Sequence, residues 1–220
     1  IIDYPDFNWR LATRAKKRGI PVFSYIPPSA WAWRKGRAKD CAALADEIVA
    51  IFPHELPPYE KAGAHISFVG NPLIDTVHAE MPLADARRHF GIIEGDVPIL
   101  LLPGSRREEI ERLLPAMLAA AKMLHAQDPA RRFFLPVAGS VLKERVQEII
   151  ASSGMTVTLT YDARYALMGI ARAAMAASGT VVMEAAIMGL PAVVLYRMSA
   201  LSYFVGRLLV DVPRFSLPNI

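Results

Sequence analysis

The sequence predicts an α/β protein built from two parallel sheets that face each other across a cleft. Three observations support this prediction. Short apolar segments alternate with segments whose apolar residues recur at the helical period. This alternation loosens between Asn71 and Pro82 and then restarts, which predicts two domains, over residues 1–75 and 76–220. The 220 residues are 53% apolar, which is enough to bury two cores, and strands that alternate with helices form parallel sheets.

The first half of the chain has the order strand, helix, strand, helix. Ile1-Ile2-Asp3 is typical of the end of a buried strand, and Pro5 suits the first turn of a helix that Gly19 ends. Pro27-Pro28 breaks the following strand, and Gly63 ends a later helix. The elements predicted after Gly19 are strands over 21–26, 48–51 and 66–69, and helices ending near 44 and covering 55–62.

The second half repeats this alternation. Residues 173–196 are poor in charge and have the length of a membrane span, but Glu184, Gly189 and Pro191 divide them into strand, helix and strand. The predicted strands cover 99–102, 133–137, 156–160, 174–177 and 192–195, and the predicted helices 108–127, 141–153, 165–171 and 180–188. Right-handed crossovers would join these parallel strands.

The cysteine content and the distribution of charge limit the kinds of chemistry and of partner that this chain can have. The single cysteine, Cys41, cannot form an internal disulfide, and its apolar helical surroundings favour a core position over a nucleophile. The net charge is +4, but residues 1–40 alone carry nine basic and three acidic residues. A cationic first segment that contains Trp31 and Trp33 suits an anionic partner such as a lipid head group, a phosphorylated substrate or nucleic acid. Solvated helix faces explain the same charges equally well.

Two predicted strand-to-helix turns carry groups that can bind an anion. Ligands of open α/β sheets lie beyond the carboxyl ends of the strands. Pro103-Gly104-Ser105-Arg106 places a glycine, a hydroxyl and a guanidinium before a helix N-terminus, and Ser178-Gly179-Thr180 forms the second turn. The first turn has a plainer interpretation, in which Ser105 caps the helix and Arg106 lies in solvent.

Glu184 is the one charged residue of the otherwise apolar helix over 180–188. An unpaired carboxylate is costly to bury, so we expect Glu184 to reach the cleft and accept hydrogen bonds from ribose hydroxyls. Pairing with an arginine elsewhere in the fold is the alternative. Asp3 ends the first strand and is the candidate general base, whereas Asp6 suits a helix N-terminus without any catalytic role.

Several familiar motifs are missing from the sequence. It has no G-x-G-x-x-G, no G-x-x-x-x-G-K-[ST] and no D-x-D that would hold a metal against a nucleotide diphosphate. The five histidines lack metal-ligand spacing, which argues against a zinc site. We therefore expect no metal site and no cofactor.

Five motifs, taken together and in order, resemble the lipid-A-disaccharide synthase family from end to end of the chain. They are Ile2-Asp3-Tyr4-Pro5-Asp6-Phe7-Asn8, Trp31-Ala32-Trp33-Arg34, Leu101-Leu102-Pro103-Gly104-Ser105-Arg106 with Glu109-Ile110, Ala177-Ser178-Gly179-Thr180 with Glu184, and Ser216-Leu217-Pro218-Asn219. The resemblance implies an inverting, metal-independent glycosyltransferase with two Rossmann-like domains, the GT-B architecture. Residues 1–75 would belong to the acceptor-binding domain and 76–220 to the UDP-sugar domain.

The resemblance also implies a reaction and roles for individual residues. UDP-2,3-diacylglucosamine would be joined to 2,3-diacylglucosamine 1-phosphate by a β(1→6) bond, releasing UDP at the cytoplasmic face of the inner membrane, where the enzyme would be peripheral. Asp3 would be the catalytic aspartate, and Trp31, Trp33 and Arg34 would face the acceptor and the membrane. The residues implied for UDP binding are Gly104, Ser105, Arg106, Ser178, Gly179, Thr180, Glu184 and Asn219.

The chain departs from the family pattern in four places. Asn71 stands where the family usually has a histidine, and Pro27 stands where a serine is common. Both the family's glycine-rich N-terminal turn and the segment after Ile220 are missing. We therefore expect a fragment whose acceptor domain is incomplete, and which binds UDP weakly without transferring sugar. A UDP-sugar epimerase of the same architecture is the alternative enzyme, although the matches at Asp3 and at 31–34 argue against it. A basic nucleic-acid-binding module is the non-enzyme alternative, which the cationic first segment alone suggests and which the lack of an RNA-binding motif argues against.

Overall fold

The computed structural model describes residues 1–31, 36–137 and 143–197. Its contacts divide the described chain into two compact units, Ile1–Pro72 and 73–197. The sequence placed this boundary three residues later, which is inside the short helix Leu73–Thr76 that follows Pro72.

The first unit contains a three-stranded parallel sheet in the order β1-β2-β3. Its elements are α1 (Pro5–Lys16), β1 (Phe23–Tyr25), α2 (Arg37–Leu44), β2 (Glu47–Ala50), a 3₁₀ turn (Pro53–Glu55), α3 (Leu56–Lys61) and β3 (Ile66–Phe68). Ile2 adds a single parallel bridge to Tyr25 at the β1 edge. The predicted first strand is no longer than this, because Asp3 and Tyr4 turn the chain with φ values of 43° and 42°.

A buried tyrosine, Tyr59, links three segments in the core of the first unit through its hydroxyl group. The hydroxyl of Tyr59 donates to the carbonyl oxygen of Pro28 at 2.7 Å and lies 3.8 Å from Cys41 Sγ. Both side chains are fully buried. Burial raises the pKa of the Cys41 thiol to about 12, so the thiolate is scarce at neutral pH. Cys41 is therefore a core residue, as its apolar surroundings in the sequence favoured.

The second unit contains a five-stranded parallel sheet in the order β6-β5-β4-β7-β8. Its elements are α4 (Leu73–Thr76), α5 (Leu83–His89), β4 (Val97–Leu102), α6 (Arg107–Gln127), β5 (Arg131–Pro136), α7 (Lys143–Ser153), β6 (Thr158–Thr160), α8 (Arg164–Ile170), β7 (Ala173–Ala177), α9 (Thr180–Ile187) and β8 (Ala192–Leu195). The parallel pairing and the alternation of helices and strands confirm the predicted α/β class.

Two apolar cores cover opposite faces of this sheet. Ile99 and Leu101 of the central strand pack with residues of α6 and α7, whereas Leu100 and Leu102 pack with residues of α5, α8 and α9. Successive side chains of a strand point to opposite faces, so a strand buried on both faces reads as one continuous apolar run. This burial on both faces explains why residues Ile99–Leu102 are all apolar in the sequence.

Residues 173–196, the charge-poor stretch, form β7, α9 and β8, as the sequence predicted. Of the helices that the structure describes, none is both long and apolar enough to cross a membrane. The sequence missed α5, which has seven residues and contributes Ala86 to the core. A helix of two turns is too short to show a clear apolar period.

Candidate functional site

A pocket of about 620 Å³ opens at the carboxyl ends of the strands in the second unit. Its wall comes from four neighbouring strand ends, those of β4, β5, β6 and β7. The size falls within the range of sites for small molecules and cofactors, and this edge of a parallel sheet is where such ligands bind. Of the predicted site residues, the pocket brings together Gly104, Ser105, Arg106, Ser178, Gly179, Thr180 and Glu184.

The turn after β4 is held by a glutamate of the helix that follows it. Glu109 accepts hydrogen bonds from the Arg106 backbone N–H at 3.4 Å and from its guanidinium at 3.2 Å. The helix begins at Arg107 with Arg106 in the N-cap position, so Ser105 does not cap it. The Arg106 side chain is 83% exposed at the pocket. Arg106 and Ser105 are therefore both accessible to an anionic ligand.

Gly104 is required in this turn for two reasons. Its φ is +101°, a conformation that side chains disfavour, and an added Cβ would lie 2.3 Å from Glu109 Oε2. We expect Gly104→Ala to lower the free energy of unfolding by about 1–3 kcal/mol, measured by urea denaturation. Gly154→Ala is the matched control, since Gly154 has φ +67° but no atom within 4 Å of an added Cβ. Equal losses in the two variants would mean that Glu109 moves aside freely and the contact is unimportant.

The turn after β7 leads into α9, which begins at Thr180. The Ser178 backbone N–H donates to the carbonyl oxygen of Leu195 at 3.1 Å, which ties the turn to the neighbouring strand β8. Thr180 and Ser178 both line the pocket. The start of α9 thus faces the same space as the turn after β4, and a helix N-terminus favours negative charge.

Glu184 lies at the pocket and also has an arginine partner, and its binding to ribose stays a prediction. It is 7% exposed and lines the pocket, as expected for a ligand-binding carboxylate. It also has an arginine partner, because Arg164 donates to its Oε1 at 3.1 Å. The Tyr165 hydroxyl lies 3.3 Å from the same oxygen. Both contacts use Oε1, so Oε2 has no hydrogen-bond partner among the residues that the structure describes.

Sequence reasoning missed the turn between β6 and α8, which forms another part of the pocket wall. Thr160, Tyr161, Asp162 and Arg164 all line the pocket there. Thr160 is buried, and its hydroxyl has no hydrogen-bond partner among the described residues. The polar run over 161–165 directly follows a strand, which is the signal that would have identified this turn. Glu80, from the loop before α5, also lines the pocket and had no such signal.

The other predicted site residues belong to the first unit or lie outside the described ranges. Asp3 is exposed and has φ 43°, and its backbone carbonyl accepts a hydrogen bond from Asn8 Nδ2 at 2.6 Å. Trp31 is half-buried, with its ring edge against His54 at a centroid distance of 4.6 Å. Trp33, Arg34 and Asn219 lie outside the described residues.

The family model and the curated relatives that match this chain agree on one family. A family model described as lipid-A-disaccharide synthetase matches residues 1–220. The lipid-A-disaccharide synthase of Syntrophus aciditrophicus is 45% identical over 221 residues, which cover 100% of this chain and 58% of that protein. That of Geobacter sulfurreducens is 43% identical, with 100% and 57% covered. The chain thus spans less than two thirds of the length of these relatives.

Solved structures show the same fold at much lower sequence identity. The UDP-GlcNAc 2-epimerase of Neisseria meningitidis, bound to UDP-GlcNAc, matches with a TM-score of 0.62 and 16% identity, covering 90% of this chain and 59% of that one. The corresponding epimerase of Methanocaldococcus jannaschii has a TM-score of 0.58 and 16% identity, covering 90% and 60%. At this identity the likeness establishes the fold alone.

Proposed function

The chain belongs to the lipid-A-disaccharide synthetase family, and we propose that it is the part of a glycosyltransferase that holds the UDP-sugar donor and supplies the catalytic base. The reaction joins UDP-2,3-diacylglucosamine to 2,3-diacylglucosamine 1-phosphate by a β(1→6) bond and releases UDP. The observation that carries the proposal is the pocket, where both anion-binding turns and Glu184 meet.

The donor side of the reaction rests on the second unit. Arg106 and the N-terminus of α9 offer positive charge to the diphosphate, and Glu184 Oε2 accepts hydrogen bonds from the ribose. As the bond between the sugar and the diphosphate breaks, negative charge develops on the departing UDP. The guanidinium of Arg106 and the helix N-terminus stabilise that charge. Glu109 positions the Arg106 backbone and guanidinium for this task.

The acceptor side rests on the first unit. Asp3 takes the proton from the acceptor 6-hydroxyl while that oxygen attacks the anomeric carbon of the donor, opposite the departing diphosphate. This attack inverts the configuration of the anomeric carbon and gives the β linkage. Two observations support this role. Asp3 is exposed, and the Asn8 side chain donates to the backbone carbonyl oxygens of Ile2 and Asp3, which fixes the turn that carries Asp3.

The reaction can be tested by supplying the two sugars separately and together. A polypeptide of the relatives' full length should release UDP only when donor and acceptor are both present, with disaccharide detected by mass spectrometry. The 220-residue chain alone should bind UDP weakly, measured by calorimetric titration, and form no disaccharide. Conversion of the UDP-sugar without an acceptor would contradict the transferase and favour the epimerase.

The cationic first segment supports peripheral attachment to the anionic cytoplasmic face of the inner membrane. We expect removal of Arg34, Lys35, Arg37 and Lys39 together to weaken sedimentation with phosphatidylglycerol vesicles by about 1 kcal/mol for each charge that lies near the surface. Raised salt should weaken the binding of the unchanged protein in the same assay, because salt screens exposed charges.

A matched control removes the same charge from the second unit. Arg88, Arg107, Arg112 and Lys122 are exposed and do not line the pocket. Their joint removal should leave vesicle binding close to that of the unchanged protein. Equal losses in the two quadruple variants would show that net charge, rather than the first segment, controls attachment.

A further inference from the structure

The carboxylate of Glu80 caps a helix from a distant part of the chain. Glu80 Oε1 accepts a hydrogen bond from the Tyr165 backbone N–H at 3.2 Å, and Oε2 accepts one from the Ala166 N–H at 2.8 Å. These N–H groups belong to the first turn of α8, where a helix has no partners of its own. The N-cap residue of α8, Ala163, has no side chain that can accept a hydrogen bond and sits at φ 45°. Glu80 therefore provides the cap that the helix itself lacks.

The turn that Glu80 caps also carries the two side chains that hold Glu184. Arg164 and Tyr165 are the first two residues of α8, and both contact Glu184 Oε1. They also contact each other, since the Arg164 guanidinium donates to the Tyr165 hydroxyl at 2.5 Å and lies 4.6 Å from the ring centroid. A fixed first turn of α8 thus fixes the position of the Glu184 carboxylate.

We propose that Glu80 is a positioning residue for ribose recognition: by capping α8 it orients Arg164 and Tyr165, which hold Glu184 Oε1 and direct Oε2 at the ribose hydroxyls. This inference rests on the proposed function, in which Glu184 binds the ribose. Hydrogen bonds to a charged carboxylate depend strongly on geometry, so a shift of the supporting turn weakens them even though Glu184 itself is unchanged. Glu80 acts through α8 and needs no contact with the nucleotide.

The measurement that isolates this role is the ratio of two dissociation constants in the 220-residue chain. Dideoxy-UDP lacks both ribose hydroxyls, so the ratio of its dissociation constant to that of UDP reports on the contacts to these hydroxyls, and the fall of this ratio in Glu184→Ala gives the share of Glu184. A hydrogen bond to a charged group is worth at least about tenfold in affinity, so we expect a ratio of about 10 or more in the unchanged protein. Glu184→Ala should bring the ratio to about 1 and so defines the lower limit.

Two substitutions of Glu80 should lower this ratio of dissociation constants to different extents. Glu80→Ala removes both acceptors and should bring the ratio close to that of Glu184→Ala. Glu80→Gln keeps one acceptor oxygen and should give an intermediate ratio, in a variant that disturbs the fold less. Asp96→Ala is the control, because Asp96 also holds a backbone N–H of the second unit, that of Ile93 at 3.0 Å, and does not line the pocket. It should destabilise the fold while leaving the ratio as in the unchanged protein.

The outcomes separate this inference from the proposed function. A ratio that stays high in both Glu80 variants would overturn the positioning role and leave the proposed function standing. A ratio near 1 in the unchanged protein would overturn the ribose contact of Glu184, and with it the role of Glu80. A ratio that falls equally in Asp96→Ala would also overturn the inference, because it would reduce the Glu80 effect to a general loss of stability.

Discussion

Replacing Asp3 by asparagine in a polypeptide of the relatives' full length should lower turnover by about 100-fold or more and leave UDP affinity nearly unchanged. Asparagine cannot take the proton of the acceptor hydroxyl. It does tolerate the left-handed conformation that Asp3 adopts at φ 43°, so the backbone of the turn is preserved. The loss therefore reports on the carboxylate rather than on the fold. Turnover is measured as UDP released with saturating donor and acceptor.

Asp6→Asn is the matched control for this substitution. Asp6 lies three residues away in the first turn of α1, and its carboxylate is 3.7 Å from Arg37. The Asp6 side chain is 89% exposed, so this ion pair contributes little to stability. We expect near-normal turnover in Asp6→Asn. Loss of turnover in Asp6→Asn with near-normal turnover in Asp3→Asn would transfer the role of general base to Asp6.

Replacing Arg106 by alanine should weaken UDP binding by about 1.5–3 kcal/mol, the value of a charge-assisted hydrogen bond to the diphosphate. The Arg106 guanidinium pairs with Glu109 at 3.2 Å. That pair is exposed and worth only about 0–1 kcal/mol, so a diphosphate can compete for the guanidinium. Calorimetric titration of the 220-residue chain with UDP measures the effect directly.

The neighbouring arginine tests whether the effect is specific. Arg107 is 74% exposed, pairs with Glu111 at 3.0 Å and does not line the pocket. Arg107→Ala removes the same charge from the same helix end, so it should change UDP affinity only slightly. Similar losses in Arg106→Ala and Arg107→Ala would mean that general positive charge near α6 attracts UDP, without a specific contact at Arg106.

The sequence predicted the strands of the sheet well because a buried strand consists of consecutive apolar residues, which can be recognised locally. β4 and β7 are buried on both faces, so nearly all of their residues are apolar and the strands can be recognised without knowing their partners. The two pocket-lining turns could be located for a related reason, since a glycine and polar groups follow each of these strands directly. The order of residues along the chain was enough to predict the strands and the position of these turns, whereas anion binding by the turns stays a prediction.

The remaining parts of the pocket depend on contacts between distant residues. The sequence offered an arginine partner for Glu184 as the alternative to a ribose contact, but it could not indicate which arginine of the chain that partner is. Arg164 became the partner because α8 and α9 pack on the same face of the sheet. Glu80 was missed because its partners are backbone N–H groups of α8. Every residue except proline has such a group, so the sequence does not indicate which ones Glu80 contacts. Asp3 was placed at a strand end, whereas its left-handed turn also depends on the side chain of Asn8.

The strand order of the second unit has a consequence for how the protein is made on the ribosome. The central strand β4 is synthesised before both of its neighbours, and β7 emerges only after α6, β5, α7, β6 and α8. Synthesis proceeds at about 5–20 residues per second, so one edge of an almost wholly apolar strand stays unpaired for seconds in every nascent chain. Ribosome-bound chains that end before Ala173 should therefore bind hold-type chaperones, and chains that extend past Leu195 should release them.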